Sequence, residues 1–422
     1  MSLKDNLKAW MISYFKKHPN QRFAARVFLN RLRGNHYMSR YGNLPLDDKK
    51  VLFEVFNGRQ YSCNPRWIYE EMKKSPEFDG WTYVWAFEHP EDQKSIPALK
   101  DSVLVEVKSD EYYREFATAK YIIVNSMLFG GLSRKDDQVI MQTWHGTPLK
   151  RLRCDIEAVD GNVNNTLEEI KARNDSDIVR YTHFLSPSAW ASDRFISAFN
   201  LNEMDMKNII TETGYPRNDI LTNYTSEDVD DIFRTVGAPR DKKVILYAPT
   251  FRDNKHISGK GYKHEETLDF KRLQEEFGAE YIILFRTHYF IANSFDFGDY
   301  EGFIYDVSGI ADISELYLMA DILITDYSSV FFDYACMKKP MIFYMYDLEN
   351  YENDIRGFYL DIKELPGDVV RNENELVEAI HKISKGGFSY DEKYRSFNKR
   401  FNYLDDGLAA KRVIEAVFHN QN

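Results

Sequence analysis

The stretch "DILITDYSSVFFDYACMKKPMIFYMY", residues 321–346, decides how the chain folds. "DILIT" is a short apolar run of the kind found in strands buried on both faces. Ser328 and Ser329 follow and open an apolar helix, because a serine at that place can cap the unpaired backbone N–H groups of a first turn. "PMIFYMY" (340–346) then starts another strand. A strand, a helix and a strand in immediate succession predict a parallel pair joined by a crossover helix.

The same alternation runs outward in both directions. Candidate strands upstream are 51–56, 82–87, 121–126, 138–144, 183–187 and 208–213. After "GYPRNDILTN" a second series follows at 243–250, 281–288, 302–307, 321–326 and 340–346. Amphipathic stretches such as "PSAWASDRFISAFN" and "ISELYLMA" lie between them. Two such series predict an α/β protein with two Rossmann-like domains facing a central cleft. The expected division is a basic segment over 1–45, a first domain over 46–225 and a second over 226–422. A length of 422 residues suits more than one core.

Composition excludes several function classes. The net charge of −11 argues against a nucleic-acid binder. Three scattered cysteines, Cys63, Cys154 and Cys336, fit a reducing cytoplasm and no cysteine zinc site. No apolar run approaches the roughly 20 residues that span a bilayer, and the N-terminus lacks a signal peptide's pattern. Residues 1–40 nevertheless hold nine Lys/Arg and one acid, Asp5, a net +8 that leaves −19 for the remainder. Leu3, Leu7, Trp10, Met11, Tyr14 and Phe15 recur there at helical spacing, which predicts either an amphipathic helix on an anionic membrane surface or a helix packed on its own domain.

Ligands of doubly wound sheets sit beyond the carboxyl ends of the strands, and that is where the unusual polar residues fall. "QTWHGTPLK" (142–150) ends a strand on His145, whose ring titrates near neutrality and can take a hydroxyl proton. Gly146 removes bulk beside it, and Thr147-Pro148 reads as a helix start aimed at an anion. Pro249 and Thr250 end another strand, with Arg252 just beyond; Arg286, Thr287 and His288 form a basic strand end. Such cations suit a diphosphate leaving group, on which charge builds in the transition state. Ser328 and Ser329 would offer a phosphate-binding helix N-terminus, and Asp333, one turn on, a partner for a ribose. No Walker A loop, no GxGxxG and no metal-ligand spacing occur in the sequence.

"QTWHGTPLK", "GYPRND", "YAPTFRD", "LFRTHY" and the run 306–347 together resemble the CDP-glycerol glycerophosphotransferase family, across roughly residues 50–365. The resemblance implies a glycosyltransferase-B type fold and a cytoplasmic protein held peripherally at the inner face of the bacterial cell membrane. It implies CDP-glycerol or CDP-ribitol as donor substrate with no separate cofactor or metal. The acceptor would be a lipid-linked (undecaprenyl-diphosphate) glycan or polyol-phosphate chain, lengthened in teichoic acid or capsule synthesis. By motif, His145 would be the base and His288 the second essential histidine, at the diphosphate. The loop from His145 through Gly146, Thr147, Pro148 and Leu149 would touch the donor, together with Arg217, Pro249, Thr250, Arg252, Arg286, Thr287, Ser328, Ser329 and Asp333. "FNGRQYSCNP" (56–65) resembles the family's first loop beside the cleft, facing the acceptor. The family's polymerases carry a large further N-terminal region, so the size here is closer to the primases and the motifs to the polymerases. A sugar-nucleotide glycosyltransferase of the same fold is the alternative reading.

Overall fold

The computed structural model describes residues 10, 13–15, 17–156, 166–250, 268–287, 297–348 and 357–419, with backbone alone at 256–257 and 261–262. Fifteen strands fall within those residues. The first series comprises β1 (Asp47–Glu54), β2 (Thr82–Phe87), β3 (Val103–Glu106), β4 (Ala119–Val124), β5 (Val139–Gln142), β6 (His183–Ser186) and β7 (Ile210–Glu212). They form one parallel sheet in the order β3-β2-β1-β4-β5-β6-β7. The second series opens with β8 (Lys243–Ala248) and a small antiparallel pair, β9 (His256–Ile257) and β10 (Gly261–Tyr262). It continues through β11 (Tyr281–Phe285), β12 (Ile304–Asp306), β13 (Ile322–Thr325), β14 (Met341–Tyr344) and β15 (Asp368–Val370). The second parallel sheet runs β12-β11-β8-β13-β14-β15.

Alternate side chains explain why both sheets are covered on both faces. Leu52, Val84, Ile122 and Ile140 point into one core cluster, while their neighbours Val51, Trp85, Ile123 and Met141 point into another. In the second sheet Leu246, Leu284 and Leu323 join the first of these clusters, and Tyr247, Ile283 and Ile324 fill a third. One apolar cluster therefore runs continuously from the inner face of one sheet to the inner face of the other.

Four strands were not expected from the sequence: the short pair β9 and β10, and β3 and β15, which lie at the edges of the two parallel sheets. An edge strand has one open side, so it stays short and lacks the apolar run that marks a central one. Both ends of the "VLVE" of β3 are exposed, Val103 by 40%, and only Val105 is fully buried.

The division of the chain at 226–422 is corrected at its far end. The last helix, Ala409–Ile414, with its continuation to His419, buries Val413, Ile414 and Val417 against Trp85 and Tyr121 of the first sheet. Asp219 caps it from the first domain, accepting the backbone N–H groups of Ala409 at 2.9 Å and Ala410 at 2.8 Å. The final segment therefore belongs with the first core rather than the second.

In each sheet the strand order reverses beside the strand that opens its series. In the first this lies between β1 and β4, whose following loops are tied by Phe56 N–H to Asn125 Oδ1 at 2.8 Å and Asn57 N–H to Ser126 Oγ at 3.2 Å. In the second it lies between β8 and β13, where Thr250 N–H donates to Asp326 Oδ1 at 2.8 Å. Crevices of doubly wound sheets form at such reversals.

Candidate active site

His145 stands at the end of β5 on a loop held in an uncommon conformation. Trp144, just before it, has φ 52°, a left-handed value that a bulky residue adopts only where its surroundings enforce it. Gln142 Oε1 accepts the Trp144 N–H at 2.9 Å, and Asn64 Nδ2 donates to the carbonyls of Thr143 and Trp144 at 3.2 and 3.3 Å. The indole packs edge-on against Phe199 at 5.1 Å and stacks on the His145 ring at 4.4 Å. Phe56 meets the other side of that ring at 5.6 Å.

The imidazole has one defined tautomer. Its Nδ1 lies 2.8 Å from the carbonyl oxygen of Asn125. A carbonyl only accepts, so Nδ1 carries the proton and Nε2 keeps its lone pair. The residue is exposed toward the cleft, yet protein surrounds it closely. Desolvation, with the charges of Arg217 and Arg153, pushes its pKa down to about 4 against the opposing pull of the Asn125 carbonyl. At neutral pH the ring is therefore an unprotonated base.

The expected helix start at Thr147-Pro148 does not form. The chain stays extended, with Leu149 accepting the Tyr359 N–H at 2.8 Å and Lys150 bridging Phe358. Backbone pairing with the second domain takes the place of a first helical turn. Gly146 is needed for a related reason. A Cβ there would fall 2.7 Å from Ser329 Oγ, so the glycine admits the opposite domain as well as any ligand.

Arg217 joins the halves of the site. It donates to the His145 carbonyl at 2.8 Å and to Asp333 Oδ2 at 2.5 Å; Asn218 Nδ2 reaches the other Asp333 oxygen at 3.2 Å. Both side chains of the ion pair are almost completely buried. Burial lifts the Asp333 carboxyl above its ordinary value against the pull of Arg217, and for Arg217 burial is outweighed by Asp333, so its proton is held more tightly than usual. The pair is ionised, because a guanidinium keeps its proton and two donors converge on the carboxylate. Both Asp333 oxygens accept a hydrogen bond from the first domain, so the carboxylate expected to receive a ribose also ties the two domains together.

The remaining strand tips face this loop across a cleft of about 420 Å³, lined among others by His145, Arg217, Thr250, Arg286, Ser328 and Ser329. Gly146, Thr147, Pro148, Leu149, Thr287 and Asp333 also line it; Pro249 does not. Arg252 and His288 lie outside the described residues. Arg286 donates to the carbonyls of Val307 and Ile310 at 3.1 and 2.6 Å, and among the described residues no carboxylate pairs with it. Burial lowers its pKa, and the charges of Tyr317, Asp312 and Glu315 offset that only in part. Ser329 does open a helix, but only Val330–Tyr334, and its side chain makes no capping bond. A larger groove of about 1170 Å³ elsewhere at the domain junction contains none of these strand-end residues.

Two lining residues, Ser308 and Asp312, and one that contacts the His145 ring, Asn125, had gone unnoticed in the sequence. Ser308 accepts the Thr287 N–H at 3.0 Å. Asp312 accepts from Cys63 N–H at 3.1 Å and Trp67 Nε1 at 3.0 Å, docking the start of helix Cys63–Lys74 on the second domain. Asn125 supplies the carbonyl that sets the His145 tautomer. Its position directly after β4, at a strand tip, was the available signal. Among the described residues no cluster of His, Cys, Asp or Glu is disposed to hold a metal ion.

Removing one partner of the buried pair leaves the other charged and unmatched. Asp333→Ala is expected to cost about 3–5 kcal/mol in stability, measured by denaturant unfolding, whereas the double change Arg217→Met, Asp333→Leu costs less than the single one. Equal or greater loss in the double variant contradicts the assignment.

Comparison with known proteins agrees with this geometry. The family model for CDP-glycerol:poly(glycerophosphate) glycerophosphotransferase matches residues 36–419. The chain is 39% identical over 99% of its length to a teichoic acid poly(glycerol phosphate) polymerase of Bacillus subtilis, and 36% identical over 97% to that of Staphylococcus epidermidis. It spans about half the length of these two relatives, 55% and 56%. A Bacillus spizizenii polymerase is 37% identical over 89% of this chain and 93% of its own. The solved structure of the wall teichoic acid polymerase TagF superposes with a TM-score of 0.82 at 35% identity, over 95% of this chain and 97% of that one. The chain therefore belongs to the CDP-glycerol:poly(glycerophosphate) glycerophosphotransferase family.

Proposed function

We propose that this protein transfers glycerol phosphate from CDP-glycerol, with CDP-ribitol as the next donor to test, to a hydroxyl-ended acceptor in teichoic acid synthesis, releasing CMP. The observation that carries the reading is the fixed tautomer of His145, which leaves an unprotonated Nε2 at a cleft that Arg286 also lines. In the reaction the acceptor hydroxyl gives its proton to Nε2 as its oxygen bonds to the phosphorus bearing glycerol. The bridging P–O bond breaks, and CMP leaves with that electron pair. Arg286, the Thr250 strand tip and the Ser328–Ser329 turn are placed to bind the diphosphate and the charge that grows on it. Family membership and the named activities of its relatives support the donor class.

His145→Ala is expected to lower turnover by roughly 100-fold or more, the lower range for loss of a general base, while CDP-glycerol still binds in calorimetry. Turnover equal to that of the unchanged protein removes His145 from the mechanism.

The pH profile offers an independent check. His145 acts only when neutral, so activity is retained above its pKa and falls as pH drops through it. The acid limb of kcat/KM should lie near pH 4 to 5, well below that of an ordinary histidine. A bound diphosphate raises the imidazole pKa, so the limb of kcat should sit at higher pH than that of kcat/KM. Coincident limbs near 6.5 count against the assignment.

The same proposal places the protein on the inner membrane face. No helix among the described residues is long and apolar enough to cross a membrane. Helix Pro19–Tyr41 buries Arg22, Tyr37 and Tyr41 on the domain but leaves Phe28 61% and Leu32 50% exposed, beside Arg31. An apolar row with flanking cations suits an anionic bilayer surface. Phe28→Asp with Leu32→Asp should weaken binding to phosphatidylglycerol vesicles in co-sedimentation; undiminished binding counts against the surface.

A further inference from the structure

We propose that an arginine-lined groove on the first domain binds consecutive phosphodiesters of the acceptor chain and delivers its hydroxyl end to His145. The inference rests on the transfer reading above and extends it to the acceptor. The groove encloses about 740 Å³ between helix Pro19–Tyr41, helix Leu167–Ile178 and the loop after β4. Arg26, Arg33, Arg153, Arg173 and Arg180 all line it, and no acidic residue does so among the described residues. Such convergence is unexpected in a chain of net charge −11.

Each guanidinium has a traceable place. Arg26 and Arg33 are two turns apart on one face of their helix, with Asn30 between them. Arg173 faces them from the second helix. Arg180 is a brace, since it donates to the Phe129 and Leu132 carbonyls and pairs with Asp177. Glu169 is shared by Arg22 and Arg26. Burial lowers the Arg26 pKa, and the next cause is repulsion by Arg173, as expected where cations crowd.

The helix is seated closely on that loop. A Cβ on Gly130 would lie 2.4 Å from Asn30 Oδ1, and one on Gly131, at φ +94°, would lie 2.7 Å from Arg33 Cβ. The loop's two glycines thus allow the wall carrying Arg33 to approach.

Contiguity with the cleft selects the ligand. Asn57 and Ser126 line the groove, while their immediate neighbours Phe56 and Asn125 hold the His145 ring. Arg153 lies 5.9 Å from the Trp144 ring, and its charge is felt at His145. A chain threading this groove reaches the base from the wall opposite Arg286. Guanidinium groups suit phosphodiesters by charge and planar geometry. A lipid headgroup site would need no continuity with the base.

The test uses the full chain and a fluorescein-labelled, lipid-free oligo(glycerol phosphate), with Kd read by anisotropy. Arg33→Glu and Arg173→Glu are each expected to weaken binding by about tenfold and together by more, while the distant surface change Lys207→Glu leaves it unaltered. Arg33→Gln and Arg173→Gln serve if either reversal unfolds the protein, with a smaller loss expected. Oligomer binding within about twofold of the unchanged chain in both variants overturns the groove. So does loss of phosphatidylglycerol vesicle binding with oligomer binding intact, which assigns the arginines to headgroups. Because anisotropy needs no turnover, a protein that releases CMP from CDP-glycerol but ignores these changes refutes the groove alone. A protein that never releases CMP refutes the transfer reading, and the anisotropy still decides the groove.

Discussion

The buried pair between Arg217 and Asp333 is the constraint on which the site depends. Arg217 follows the last strand of the first sheet, and Asp333 lies on the short helix after β13 of the second. Two opposite charges removed from water favour one relative placement of their domains, because a shift that admits no water leaves both charges buried and unmatched. The guanidinium also reaches the His145 carbonyl, so the placement of the domains and the placement of the base are one geometry. Asp312, which takes N–H groups from Cys63 and Trp67, makes a second polar seam in the same sense.

Charge is distributed in a way that suits anionic ligands on an acidic protein. Overall repulsion from a net −11 surface is offset locally by arginines that follow strands of both sheets and by those along the N-terminal helix. Arg286 is the sharpest case. Among the described residues its partners are carbonyl dipoles rather than a carboxylate. His145 is tuned the other way, kept neutral by desolvation and by neighbouring cations. A binding wall and a proton-accepting wall thus face each other with different electrostatic settings.

Much of this was legible in the chain itself. Central strands such as "KVILYA" and "DILIT" announce themselves because both faces are buried, and the polar residues that follow them mark the cleft. The place of His145 at a strand tip was visible from the apolar run before it. Its tautomer was not, since that depends on the carbonyl of Asn125, carried by a different strand. The missing helix after Thr147 has a similar origin: the backbone of Leu149 and Lys150 pairs with Tyr359 and Phe358, partners far away in sequence that outcompete a local first turn. The helical period placed Asp333 on the cleft side but could not show its ion pair with Arg217, which comes from the other domain. Edge strands β3 and β15 escaped because solvent on one side relaxes the demand for apolar residues.

The return of the last helix to the first sheet makes the chain pass between the lobes twice, once after Asp219 and again before Ala409. Asp219 sits where the two passages touch, accepting amides at 2.9 and 2.8 Å from the returning one. A joint of two tethered strands permits swinging about the line through both and resists sliding or twisting, which would stretch those contacts. Any opening of the cleft is then hinged at that joint and has to separate the Arg217–Asp333 pair.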